Sequence, residues 1–187
     1  MIAISAGHYP TAPGACWNGV CEHELAVLWA NIIYDELKYR TPCVLVPTGK
    51  LPEKVAYINA SEADLAVEIH FNSAGGHGSG AETLYCPGSA KGKIAADLVQ
   101  HALVEAMRTK DRGVKEGWYR MDRPGIKDYP GDVDGDENPD YFLRETNCPA
   151  IIIEPEFIQN YYKYEDQVEY ICEALAGQIV YAADMVK

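Results

Sequence analysis

The chain has 187 residues, 48% of them hydrophobic and 24% charged, which suffices for one sizeable core, and we expect a single domain over residues 1–187. Its formal net charge of -12 argues against nucleic acid, which is bound through clustered Lys and Arg, and against adhesion to an anionic membrane. No apolar run approaches the roughly 20 residues of a membrane span, and Met1 leads straight into "IAIS" without a basic region, so neither membrane insertion nor a signal peptide is expected.

Taken in chain order, "IAIS" (2–5) is short and rich in β-branched residues and predicts the first strand. From Leu25 the apolar residues fall at 25, 28, 29, 32, 33 and 37, a helix stripe. "CVLVP" (43–47) predicts a strand, 52–61 a helix, and "LAVEIH" (65–70) a further strand. The glycine-rich "GGHGSG" (75–80) predicts a loop, "ETLYC" (82–86) a strand and 89–108 a helix. Residues 120–140, dense in Pro, Gly and Asp, form a long excursion before the strand "AIIIE" (150–154) and a last helix over 165–184. This alternation predicts an α/β domain with a central, mostly parallel or mixed sheet flanked by helices. There is no internal repeat and no inter-domain linker.

Six cysteines (16, 21, 43, 86, 148, 172) are scattered without a C-x-x-C pair. Cys43 falls in an apolar strand and Cys172 on a helix face, where cysteine acts as a small hydrophobe. With no signal peptide expected, free thiols are the expectation, with a Cys16–Cys21 pairing left open by their closeness.

Three local patterns fail as motifs. His23-Glu24 starts an H-E-x-x-H zinc signature, but position 27 is valine, so the pair is assigned to solvent or helix capping. "DVDGDENPD" (132–140) puts Gly135 at the wrong place for a calcium loop and reads as an acidic turn. "GSAKGKI" (88–94) lacks the spacing of a phosphate loop.

Ligands of open α/β sheets sit beyond the carboxyl ends of the strands. His8 follows the first strand, His70 ends "DLAVEIH", and Glu154 ends a run of three isoleucines. An unpaired carboxylate there is costly to desolvate, which a metal or a role as proton acceptor would account for. Two histidines and one carboxylate with an open position is a ligand set used by catalytic zinc. His8 and His70 supply the imidazoles; the residues alone leave the carboxylate open among Glu22, Glu24 and Glu68. Glu68 shares a strand face with His70 and either supports a ligand imidazole or pairs with a basic neighbour. His77 in the loop and His101 in a helix are assigned no chemistry. The aromatics of "NYYKY" (160–164) either line a groove or pack the last helix.

The pieces "AISAGHYP", "GVCEHELAVLWA", "DLAVEIHFNSAGGHGSGAETLY", "RGVK" and "LRETNCPAIIIEPEFIQN", in this order, resemble the zinc-dependent N-acetylmuramoyl-L-alanine amidases of the amidase 3 type, above all the catalytic domains of phage endolysins. The resemblance spans residues 1 to about 160 and implies an α/β domain of the zinc-exopeptidase kind. Its G-H-x motif falls on His8, its G-x-x-E motif on Gly19 to Glu22, and its I-H-x-N-A/S motif on Ile69 to Ser73. These imply His8, Glu22 and His70 as zinc ligands. Its P-A-x-x-x-E-x-G-F motif falls on Pro149 to Phe157 and implies Glu154 as the catalytic glutamate. Glu156 stands where the family has glycine and sets a second carboxylate near that base. The implied reaction is hydrolysis of the amide between N-acetylmuramic acid and L-alanine in peptidoglycan. The alternatives are a carboxypeptidase-like zinc peptidase acting on stem peptides and an inert peptidoglycan-binding module. With the matched domain filling the chain, no separate cell-wall-binding domain is expected. Synthesis in the cytoplasm and action on the wall after release, for example through holin-made holes, are expected too.

Overall fold

Apolar runs buried on both sides assemble the sheet in a computed structural model, which describes residues 1–117 and 139–187. Ile2–Ala6 (β1) pairs in parallel with Cys43–Leu45 (β4) and with Leu65–Ile69 (β5). Ala150–Glu154 (β8) continues in parallel beside β5, Ala81–Tyr85 (β6) runs antiparallel beside β8, and Asp111–Glu116 (β7) closes the edge. The order is β4-β1-β5-β8-β6-β7.

Register then places the chemistry. Ala6 pairs with Ile69 and Ile69 with Ile153, so the chain leaves β1, β5 and β8 along one line. Because β6 is antiparallel, its first residues share that edge, with Glu82 opposite Glu154.

Alternation divides the sheet between two cores. Leu65, Val67, Ile69, Ile151 and Ile153 face the helices Glu22–Leu37 (α1), Ala90–Met107 (α3) and Val168–Met185 (α5). Ala66, Leu84 and Ile152 pack with Val55 and Ile58 of Leu51–Ala60 (α2) and with Phe142 and Leu143 of Pro139–Glu145 (α4). Each fully buried isoleucine contributes about 1.5–3 kcal/mol, so this central layer is a rigid base for the residues at its edge.

The expected strands and helices are present with small shifts at their ends. Helix α1 starts at Glu22, three residues before the apolar stripe, and Leu28 of that stripe is 42% exposed. Two 3-10 turns, Ile158–Lys163 and Glu165–Gln167, precede α5. Strand β7 and helix α4 were not expected: "DRGVKE" is a partly exposed, polar edge strand, and α4 begins inside the Pro- and Asp-rich excursion. That excursion up to residue 138, and the acidic turn expected in it, lie outside the described residues. Among the described residues no helix is long and apolar enough to cross a membrane.

The free-thiol expectation is corrected at one pair. Cys16 and Cys21 are bonded as a disulfide, with Cα atoms 4.0 Å apart. They sit opposite each other in a hairpin of Cys16–Trp17 (β2) and Val20–Cys21 (β3). Asn18 and Gly19, at φ 49° and 85°, make the tight turn that closes it, a pairing set by turn geometry rather than by a cysteine motif. Cys43, Cys148 and Cys172 are free thiols, and Cys172 is buried in the larger core.

Candidate metal centre

Beyond β1 the chain turns through Gly7, whose N–H donates to the Ile69 carbonyl at 2.8 Å, into His8 at φ 57°. A Cβ on Gly7 would stand 2.6 Å from the His70 ring, so the two strand ends approach this closely only across glycine. His23 reinforces the turn: its Nδ1 lies 2.8 Å from the Gly7 carbonyl, and the side chain is buried. The expectation that His23 faces solvent or caps a helix is therefore corrected. Its neighbour Glu24 does cap α1, accepting from the Cys21 N–H at 3.0 Å.

Glu22, the first residue of α1, turns its carboxylate to the sheet edge. Its Oε1 accepts from the Phe71 N–H at 3.1 Å and its Oε2 from the Ala15 N–H at 3.3 Å. The same Oε1 lies 3.0 Å from His8 Nε2 and 2.9 Å from His70 Nδ1. One possible ligand atom from each of the three residues falls within a span of 4.8 Å. Donor atoms about 2.0–2.2 Å from a tetrahedral divalent cation stand roughly 3.3 Å from one another, so this donor set fits one ion. Gly14 walls the cluster: a Cβ there would lie 2.5 Å from Glu22 Oε2 and 2.6 Å from the His8 ring.

Charge pairing dominates the protonation of the cluster. Burial works to raise the Glu22 carboxyl, but the His70 and His8 imidazoles outweigh it and hold Glu22 well below the usual carboxylate range. Burial works to lower His70, yet Glu22 and Glu68 push it up to about 10 in the metal-free chain.

Glu154 ends β8 beside His70, whose N–H donates to the Ile153 carbonyl at 2.9 Å. The residue is 7% exposed, and its Oε2 is buried without a hydrogen-bond partner among the described residues. Burial, joined by the charges of Glu22 and Glu82 and opposed by His70, pushes its carboxyl up to about 8.

Glu156 does not compete for this place. Its carboxylate accepts from the Gly80 N–H at 2.7 Å, the Phe157 N–H at 2.9 Å and the Thr109 hydroxyl at 2.9 Å. It is a tie between the loop before β6, the chain entering β7 and the 3-10 turn. Both readings of Glu68 hold at once: it lies 3.0 Å from His70 Nε2 and 3.1 Å from Lys54 Nζ. His77 and His101 are exposed, the latter paired with Glu105. Of the 160–164 aromatics, Tyr161 packs edge-on against Phe71 and Tyr162 is exposed.

Sequence reasoning missed Lys54 and Glu82. Glu82 is buried between the Asn72 amide, at 2.7 Å, and the Arg112 and Lys115 side chains. The available signal was a charged residue inside an otherwise apolar strand or on the apolar face of a helix, where only a partner makes it tolerable.

Residues 2–180 match a family described as N-acetylmuramoyl-L-alanine amidase. The chain is similar to the uncharacterized protein YqiI of Bacillus subtilis (strain 168), 34% identical over 167 residues, or 85% of this chain and 70% of that protein. It is similar also to the endolysin of Bacillus phage SPP1, 28% identical over 167 residues, or 86% of this chain and 55% of that protein. Among solved structures, the N-acetylmuramoyl-L-alanine amidase from Clostridium difficile 630 superposes with a TM-score of 0.74 at 25% identity, covering 98% of this chain and 94% of that one.

Proposed function

The chain belongs to the N-acetylmuramoyl-L-alanine amidase family, and on that premise we propose that it cleaves the bond between the lactyl group of N-acetylmuramic acid and L-alanine in peptidoglycan, with zinc held by His8, Glu22 and His70 and with Glu154 moving the proton. The observation that carries the reading is the convergence of two imidazoles and a carboxylate beside a buried glutamate with a free oxygen.

Bound zinc supplies a Lewis acid for the scissile carbonyl and a water whose pKa falls toward about 7. The chain supplies the rest. Glu154 accepts a proton at its unpartnered Oε2 from the attacking water and passes it to the leaving alanine nitrogen. In the metal-free chain burial raises this carboxyl to about 8, toward the neutral range in which one group can both take and return a proton. The backbone amides of Phe71 and Ala15 fix the Glu22 carboxylate, and the Gly7 turn fixes His8 against His70.

The proposed place of work is the wall, reached after release from the cell. The Cys16–Cys21 bond supports this, since disulfides persist in oxidising surroundings. Digestion of purified peptidoglycan tests the function. The amidase reading expects stem peptides with L-alanine as the new N-terminus, silenced by chelator and restored by zinc. Trimming of stem peptides from their C-terminal end would instead favour the carboxypeptidase-like alternative.

A further inference from the structure

Behind the metal centre, on the side away from α1, lies a chain of buried charges that the proposed reaction does not use. Glu68 sits in the middle of β5 and is 0% exposed; Lys54 on α2 is 2% exposed. A buried ion pair gains little over an apolar pair of the same size, because both charges must be stripped of water. Stability alone therefore gives no reason for placing one here.

The contacts give another reason. Glu68 Oε2 accepts from the Ser5 hydroxyl at 2.7 Å and from Lys54 Nζ at 3.1 Å, which leaves Oε1 for His70 Nε2 at 3.0 Å. With Nε2–H given to Glu68, the other ring nitrogen, Nδ1, is the one turned to Glu22 at 2.9 Å. Lys54 also donates to the Ala6 carbonyl at 2.5 Å, two residues before His8. One ammonium thus grips both strand ends that carry the imidazoles.

Resting on the proposed zinc centre, we infer that Glu68 and Lys54 are its positioning residues. Glu68 fixes the ring orientation and tautomer of His70, and Lys54 holds Glu68 in place while pinning the turn into His8. Carboxylates behind ligand imidazoles set their tautomer and basicity, and their loss typically weakens the metal about 10–100-fold.

The test uses the full chain, with zinc alone as the probe. In the double variant Lys54→Met and Glu68→Leu, an apolar pair replaces the ion pair. Competition with a chromophoric chelator gives the zinc affinity, thermal melting of the metal-free protein checks the fold, and nitrogen-15 NMR of the imidazoles in the zinc-loaded protein reads the His70 tautomer. The expected result is melting at or above wild type, zinc bound about 10–100-fold more weakly, and a mixed His70 tautomer. Lys54→Arg, which keeps the cation, is expected to recover most of the affinity. Wild-type affinity and a single, unchanged tautomer in the folded double variant would overturn the inference. Should the double variant not fold, Glu68→Gln decides by the same readings. These readings need no substrate, so a chain that binds zinc as described but releases no N-terminal alanine would sink the amidase reading and leave this one standing.

Discussion

Glu154 and Glu156 stand two residues apart, both buried, on the same stretch of chain, and the protein treats them in opposite ways. Glu156 is saturated by the amides of Gly80 and Phe157 and the hydroxyl of Thr109, and so ties three segments together. Glu154 stands beside His70 at the sheet edge with Oε2 lacking a partner among the described residues, and burial holds its carboxyl up to about 8. A buried carboxylate that has its donors is architecture; one denied them fits the proton acceptor proposed for Glu154. The contrast extends to their surroundings: the first sits in a knot of backbone ties, the second at a seam where β1, β5 and β8 all end.

The largest break in this comparison comes from the ligand cluster itself. Glu22→Gln keeps an acceptor for one of the Phe71 and Ala15 amides and removes the anion between the imidazoles. It should weaken zinc by more than the roughly 10–100-fold that an outer partner costs, measured by chelator competition, with activity lost in proportion. Glu156→Ala should do the reverse. It strands buried donors at a cost of about 1–3 kcal/mol each, so the melting temperature falls by several degrees while zinc content per folded chain stays at one.

The Glu154 side of the comparison is sharpened by pH. Its value in the fold, about 8, lies above its ordinary 4.5, so the protonated side chain contributes stability that is fully present below pH 4.5 and lost as pH rises through about 8. In chelator, wild type should therefore lose stability relative to Glu154→Gln across that window, read as a widening gap between their melting temperatures. A constant gap would mean that Glu154 is not held neutral by burial. The smallest effect belongs to the hairpin ahead of Glu22: reducing Cys16–Cys21 should cost roughly 2 kcal/mol, the entropy of so short a loop, seen as a modest drop in melting temperature.

Much of this was legible beforehand, because strand periodicity is a local property. The faces of "LAVEIH" and the strand-end positions of His8, His70 and Glu154 follow from alternation and chain order alone. Alternation could not choose among Glu22, Glu24 and Glu68; that choice came from the resemblance, and the geometry groups Glu22 with the two imidazoles. What escaped depends on long-range pairing. Lys54 meets Glu68 across two elements, His23 meets Gly7 across sixteen residues, and β7 joins the sheet with hardly any apolar pattern of its own. The disulfide escaped for a related reason, since it follows from the Asn18-Gly19 turn rather than from cysteine spacing.

The central claim is that Glu154, not its saturated neighbour, moves the proton at the His8, Glu22 and His70 centre. The most direct measurement is the rate at which new N-terminal L-alanine appears from purified peptidoglycan, comparing wild type with Glu154→Gln at equal zinc content. The account predicts a loss of about 10²–10⁴-fold in the variant with zinc retained. Release at the wild-type rate by a fully zinc-loaded Glu154→Gln protein would contradict it.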